Sequence, residues 1–261
     1  MVTRISIVIV LVIGIVVPVD AVENVTFRDV TAGVGDLTLI GRLEKPKGEG
    51  PFPAVVLLHG CRGITPSYDA WMERLVNWGY VTLQLDSFGP RGVSNDCGRP
   101  PQVPLEMRVQ DAHAAKSFLR TLPYVDGNRI AVMGWSYGGV TTLSAVTDWG
   151  RGRDRKEPFR AAVAFYPGCR EEHASLESPL LVLIGKRDDW TQVERCEAMK
   201  KIWLKKQKGH ELILKIYPRA HHGFDMEGLN ETYRGHRMQY DPEAAADAID
   251  QVRTFLAKHF Q

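Results

Sequence analysis

The chain contains no C-x-x-C and no G-x-G-x-x-G. The first absence removes the short cysteine spacing of zinc sites and thiol redox motifs. The second removes the fingerprint of a dinucleotide-binding turn. No internal repeat and no low-complexity linker interrupts the sequence, which argues against a solenoid or a string of small domains. An excess of charge of one sign is also missing. Lys and Arg total 33 against 31 Asp and Glu, a net charge of +2, so no global field favours nucleic acid or an anionic membrane. The densest basic run, Lys200, Lys201, Lys205, Lys206 and Lys208, falls on a predicted helix with Glu194 and Glu197 nearby and reads as a solvated face. The N-terminal apolar run from Ile5 to Val17 falls short of the about 20 residues that a membrane-crossing helix needs.

That run has another reading. Arg4 precedes it, and Pro18, Asp20 and the small residue Ala21 follow. A charged start, a short apolar stretch and a small residue at a cut site are the parts of a secretory signal. Residues 1–21 are therefore expected to be a signal peptide, with an uncleaved anchor as the alternative. Residues 22–261 are expected to form one catalytic domain, exported to the periplasm or beyond the cell. The four cysteines, Cys61, Cys97, Cys169 and Cys196, are then in a compartment that permits disulfides. With 261 residues, 44% hydrophobic, the chain can build a core without depending on them.

Downstream, apolar runs alternate with helical patterns. "NVTFRDV" and "LTLIGRLEKP" predict two early strands joined through Gly33 and Gly35. "PAVVLLHG", "YVTLQLD", "RIAVMG", "RAAVAFYP", "PLLVLIG" and "HELILKIYP" predict six more. Between them, "SYDAWMERLVNWG" predicts a helix capped by Ser67 and stopped at Gly79. "LEMRVQDAHAAKSFLRTL" predicts a helix with its apolar spacing at Met107, Ala114, Ala115, Phe118 and Leu119. "SYGGVTTLSAV", "QVERCEAMKKIWLKKQ" and "PEAAADAIDQVRTFLAKHF" complete the set, the last capped by Asp241. Such alternation implies an α/β fold: a mostly parallel eight-stranded sheet with helices on both faces. Ligands then sit beyond the carboxyl ends of the strands. Standing there are His59 to Cys61, Asp86 and Ser87, Gly134 to Ser136, Asp188 and Asp189, and His221 and His222.

Gly134-Trp135-Ser136-Tyr137-Gly138 is G-x-S-x-G between a predicted strand and a predicted helix. A serine hydroxyl needs a base to take its proton and a third group to orient that base. It must also project from a tight turn, which small neighbours permit. "KRDDW" then offers Asp188 or Asp189, and "RAHHGFD" offers His221 or His222, in the order Ser, acid, His. An oxyanion needs donors: the N–H of Tyr137, and one from the loop after "PAVVLLHG", with Cys61 first and Arg62 second. His59 is expected to shape that loop. A metal held by the two histidines and Asp225 is the weaker reading, since adjacent residues on a short loop rarely surround one ion. No cofactor is expected.

The stretches "LLHGCRG", "DSFGPRG", "GWSYGGV", "LIGKRDDWT" and "YPRAHHGFD" resemble the dienelactone hydrolase family of the α/β-hydrolases, over nearly all of the chain after its leader. The resemblance implies a triad of Ser136, Asp188 and His222, no metal or organic cofactor, and small esters or lactones as substrates. It departs from the namesake enzymes, which use a cysteine where Ser136 stands and hold the substrate carboxylate with an arginine shortly after the histidine, where this chain has Gly223 to Met226. "GWSYGG" is also similar to serine peptidases of the dipeptidyl-peptidase type, so short peptides are the alternative substrate, and a hydrolase fold used only for binding is the other alternative. Arg62 or Arg91 is expected to meet an acidic group on the substrate, with Phe88 and Arg99 on the same rim. Trp135, Trp190 and Phe224 are expected as apolar walls. Adjacent strands precede Cys61 and Cys97, and likewise Cys169 and Cys196. Those pairs are the expected disulfides, each stabilising by about 3 to 4 kcal/mol through loop-closure entropy.

Overall fold

A computed structural model describes residues 22–28, 37–98, 100–147, 158–206 and 209–261. The leader, the Gly33–Gly35 joint, Arg99 and Lys208 lie outside the described residues. Eight strands form one sheet: β1 (Glu23–Arg28), β2 (Thr38–Glu44), β3 (Phe52–Leu58), β4 (Val81–Asp86), β5 (Val125–Trp135), β6 (Ala162–Phe165), β7 (Leu180–Gly185) and β8 (Leu212–Tyr217). Their order is β1-β2-β4-β3-β5-β6-β7-β8. β2 runs antiparallel to β1 and to β4, and all later pairings are parallel. β6 and β7 are buried at every residue, as the unbroken apolar runs require of strands covered on both faces.

Among the described residues five helices cover the sheet: α1 (Asp69–Asn77), α2 (Leu105–Leu119), α3 (Tyr137–Ala145), α4 (Val193–Lys206) and α5 (Pro242–His259). Asp241 caps α5, accepting from the Ala244 N–H at 3.1 Å, and Gly79 closes α1 with φ of 91°. Ser67 does not cap α1. It sits inside a 3-10 turn, Pro66–Tyr68, that precedes the helix, and Pro66 at the head of that turn moves the start of the coil back to Thr65. The apolar face expected of α2 is also displaced at its start. Met107 is exposed, whereas Arg108 and Asp111 are buried. Arg108 donates to the His59 carbonyl at 2.6 Å, and Asp111 takes both arms of Arg91, so polar partners rather than hydrophobicity draw this face inward.

One element is new relative to the sequence reading. A hairpin of β9 (Asn230–Tyr233) and β10 (His236–Gln239) stands apart from the main sheet. Its turn residues Arg234 and Gly235 both have positive φ, at 52° and 85°, the requirement of a tight two-residue turn. The hairpin leans on the neighbouring loops: Arg62 pairs with Glu231, the Asn95 amide donates to the Tyr233 hydroxyl at 3.0 Å, and Arg234 donates to the Cys97 carbonyl.

Both disulfides are present, Cys61–Cys97 and Cys169–Cys196, and no described cysteine is free. The first ties the loop after β3 to the loop after β4, where the Asp96 N–H also donates to the Cys61 carbonyl at 2.7 Å. The second ties the loop after β6 to α4.

Candidate active site

β5 ends at Trp135 and α3 begins at Tyr137, so Ser136 alone turns the chain. Its φ of 53° and ψ of −113° lie in a region that side-chain-bearing residues avoid, at a cost of about 1–3 kcal/mol. The surroundings hold it there: the Ser136 N–H donates to the Phe165 carbonyl at 3.0 Å, and its carbonyl accepts from Val140 at 2.9 Å. The glycines of the motif are needed for space. A Cβ on Gly138 would collide with the Leu58 carbonyl oxygen and lie 2.6 Å from that of His59. One on Gly134 would collide with the Gly138 carbonyl. Those oxygens belong to backbone and cannot swing aside. Gly138→Ala should therefore cost several kcal/mol, as forced overpacking does, or abolish soluble expression, and thermal melting would read it. A melting temperature equal to the parent's would mean that α3 can slide away from β3.

The Ser136 Oγ lies 3.0 Å from His222 Nε2, and His222 Nδ1 lies 2.8 Å from Asp188 Oδ2. The Asp188 carboxylate is well supported. Oδ1 accepts from the N–H groups of Trp190 at 2.9 Å and Thr191 at 2.8 Å, and Oδ2 accepts from the Thr191 hydroxyl at 2.8 Å. Burial works to raise its pKa, but the facing His222 and the Thr191 bonds outweigh it and hold the carboxyl below the usual range. His222 is buried, its ring packed 4.5 Å from that of Tyr166 and 5.1 Å from that of Trp190. A hydroxyl, an imidazole and a carboxylate connected in this order can move a proton off the hydroxyl and hold the resulting imidazolium.

Asp189, the other candidate acid, stands away from His222. The carboxylate bonds at the start of the following turn are made by Asp188, and Asp189 points outward to accept from the Arg237 N–H at 3.2 Å, beside His236. His221 and Asp225 do not join His222 around a point. Asp225 accepts from the indoles of Trp71 and Trp135 and from the Tyr166 hydroxyl, each at 2.8 Å, and burial still raises its pKa. Among the described residues no cluster of His, Cys, Asp and Glu is arranged to hold a metal ion.

Ser136 lies where two clefts meet, and Cys61 and Trp190 line both. The first, of about 490 Å³, is walled by Tyr68, Trp190, Met226, Leu229 and Met238, with Trp135 at its floor. Trp135 is 1% exposed, and its indole N–H is spent on Asp225, so it supports the cleft more than it lines it. Phe224 is fully buried against Phe165 and Tyr166 and is not a wall. Arg62 stands on this rim, paired with Glu231 and stacked on Tyr233 at 4.8 Å. Arg91 is elsewhere. Both its arms engage buried Asp111, at 2.8 and 2.9 Å, and one also reaches the Ser87 carbonyl, so it anchors the loop after β4 and lines neither cleft. A buried carboxylate next to a flexible arginine captures it more readily than an open rim does. Phe88 is likewise buried, against His59.

Tyr137 heads α3 and lines the second cleft, and Cys61 follows Gly60, whose Cα faces the Ser136 side chain. The two expected oxyanion donors therefore flank the serine. The Cys61 loop rests on a buried base. His59 bonds through Nδ1 to the Gly60 carbonyl at 2.7 Å and through Nε2 to the Ser87 N–H at 3.3 Å, which fixes a neutral ring. Burial, together with the Arg108 charge, pushes its pKa down to about 3. In the unfolded chain the same histidine titrates near 6.5. Between those values the unfolded state binds the extra proton, so this contribution to stability is complete above about pH 6.5 and is lost as the pH falls. His173, buried with Nε2 3.1 Å from the Ser144 hydroxyl, is pushed down to about 4 and acts in the same direction. Each histidine should add up to about 1.4 kcal/mol per pH unit to the slope of stability in that window. His59→Asn should flatten the slope between pH 5 and 6.5 in urea titrations. An unchanged slope would mean that His59 is charged in the fold.

A sequence model of the dienelactone hydrolase family matches residues 39–260. "Probable 2-oxo-3-(5-oxofuran-2-ylidene)propanoate lactonase" of Bradyrhizobium sp is 24% identical over 92% of this chain and 97% of its own. The crystal structure of a dienelactone hydrolase-like promiscuous phosphotriesterase from metagenomic libraries superposes with a TM-score of 0.72, at 21% identity, covering 92% of this chain and 99% of that one. Pyrococcus horikoshii acylaminoacyl peptidase superposes with a TM-score of 0.71, at 19% identity, over 93% of this chain but only 42% of the peptidase. These likenesses place the sheet and its helices in the α/β-hydrolase fold. With the family match spanning nearly all of the described residues, the chain belongs to the dienelactone hydrolase family.

Proposed function

We propose that the protein hydrolyses carboxylic esters or lactones of small acids through an acyl-enzyme on Ser136. The observation that carries this reading is the unbroken proton path Ser136 Oγ, His222 Nε2, His222 Nδ1 and Asp188, at 3.0 and 2.8 Å. His222 takes the hydroxyl proton as Ser136 attacks the carbonyl carbon. The N–H groups of Tyr137 and Cys61 meet the oxyanion, and His222 returns the proton to the leaving oxygen. Water, deprotonated by the same imidazole, then releases the acid. All of these steps use side chains and backbone of this chain, with no cofactor invoked.

A fluorophosphonate that forms a covalent adduct at serine tests the nucleophile directly. Intact mass and peptide mapping should place one adduct on Ser136, and an unlabelled protein would leave a binding module as the better reading. The superposition on acylaminoacyl peptidase keeps short peptides as the second reading. Aryl esters and aminoacyl anilides offered side by side separate the two, and faster anilide cleavage would favour the peptidase. We also place the protein in an oxidising compartment, on the support of its two disulfides.

A further inference from the structure

The two clefts that meet at Ser136 differ in charge. In the first, Arg62 and Glu231 are the charged side chains that form its rim, and they neutralise each other. The second, of about 540 Å³, is lined by Arg170, Arg195 and Asp96. Asp96 is buried, and its two oxygens are taken by the N–H groups of Gln102 at 2.8 Å and Val103 at 2.9 Å, so it is not free to fold over either arginine, and the two guanidinium groups outnumber it. Arg195 has no ion-pair partner among the described residues. Arg170 has one loose contact, to Glu172 at 3.6 Å, with its side chain 54% exposed. The cleft is therefore the positively charged approach to the serine.

The backbone positions that carry the two arginines are held in place by their neighbours. Arg170 follows Cys169 and Arg195 precedes Cys196, so the second disulfide fastens together the two backbone positions from which the guanidinium groups extend. The Arg170 N–H donates to His173 Nδ1 at 3.2 Å, and the other nitrogen of that buried neutral ring meets Ser144. Arg195 sits in the first turn of α4, its N–H donating to the Gln192 carbonyl at 3.2 Å.

The geometry points to an anion subsite in the second cleft: Arg170 and Arg195 receive a carboxylate on one arm of the ester or lactone, while the other arm lies in the apolar first cleft. This inference deepens the proposed ester hydrolysis and rests on it. It assigns the anionic end to residues in the loop after β6 and at the start of α4, whereas the sequence pattern alone points to Arg62 or Arg91. Guanidinium groups suit this task because they remain charged and present a planar fork to a carboxylate.

The test compares three esters: 4-nitrophenyl hemiglutarate, with the charge on the acyl arm; 4-acetoxybenzoate, with the charge on the leaving arm; and neutral 4-nitrophenyl butyrate. In the Arg170→Gln, Arg195→Gln double variant, the kcat/KM of one of the two anionic esters relative to the neutral ester should fall about fivefold or more, mainly through KM, since both groups are solvent-exposed and each contact is modest. High salt should shrink that preference in the parent protein. An unchanged ratio for both anionic esters would overturn the subsite. A parent protein that turns over none of the three would instead count against ester hydrolysis. In that case the subsite is read by glutarate protection of Ser136 from fluorophosphonate labelling, which should weaken in the double variant. Protection that is absent, or equal in both proteins, would overturn it.

Discussion

Ser136→Ala should lower ester hydrolysis by about 10⁴-fold or more, because the remaining binding groups and oxyanion donors cannot replace a lost nucleophile. Folding should barely change. Alanine inherits the φ of 53° that the turn imposes on Ser136 and the backbone bonds to Phe165 and Val140 that hold it. The only bond lost is the one between Oγ and His222. Ser136→Gly should lose the same activity and melt at a higher temperature than the alanine variant, since glycine adopts positive φ without the penalty a Cβ brings. Paired measurements of kcat/KM and melting temperature on the two variants test both the chemistry and the strain. Near-parental activity in either variant would remove Ser136 from the mechanism. A glycine variant no more stable than the alanine one would mean that the turn is unstrained.

The strands were the most readable part of the sequence, because burial on both faces leaves no room for polar residues, and "LLVLIG" or "AVAF" admits few other readings. The contact among Ser136, His222 and Asp188 was readable for a related reason: each stands just past a strand end, so strand order alone brings the three candidates to one edge. The disulfide pairs followed from the same adjacency. Side-chain destinations were not readable. Arg91 looked available on a long loop, but buried Asp111, a turn and a half into α2, claims it. Trp135 looked like a wall because it flanks the serine, yet Asp225 holds its indole beneath the cleft. No apolar run announces the hairpin of β9 and β10. Its strands are mostly polar, with Tyr233 and Met238 too few to make an apolar run, and only Gly235 after Arg234 hints at the turn. Arg170 and Arg195 were missed because each is an ordinary surface arginine in sequence, and only the Cys169–Cys196 bond brings them to one rim.

Asp188→Asn should cut kcat by about 10³ to 10⁴, a loss that arises from hydrogen-bond polarity while the shape is kept. Oδ1 of Asp188 accepts two backbone N–H groups, from Trp190 and Thr191. An asparagine must keep its carbonyl oxygen on those donors, because an amide NH₂ there would face them and leave buried groups unpaired. Its NH₂ then occupies the Oδ2 position and points at His222 Nδ1, now 2.8 Å away. Nδ1 becomes the acceptor, the ring proton moves to Nε2, and the nitrogen facing Ser136 can no longer take a proton. The carboxylate that would balance the imidazolium is gone as well. Asp189→Asn lacks these consequences. Its side chain is 51% exposed and its contact is the Arg237 N–H of the hairpin, which an amide oxygen can also accept, so kcat should stay within about twofold and stability within about 0.5 kcal/mol. Comparing kcat, melting temperature and the ring-nitrogen NMR shifts of His222 across both variants separates the roles. The Asp188 variant should show the proton on Nε2, and a severe kcat loss in the Asp189 variant alone would transfer the orienting role to that residue.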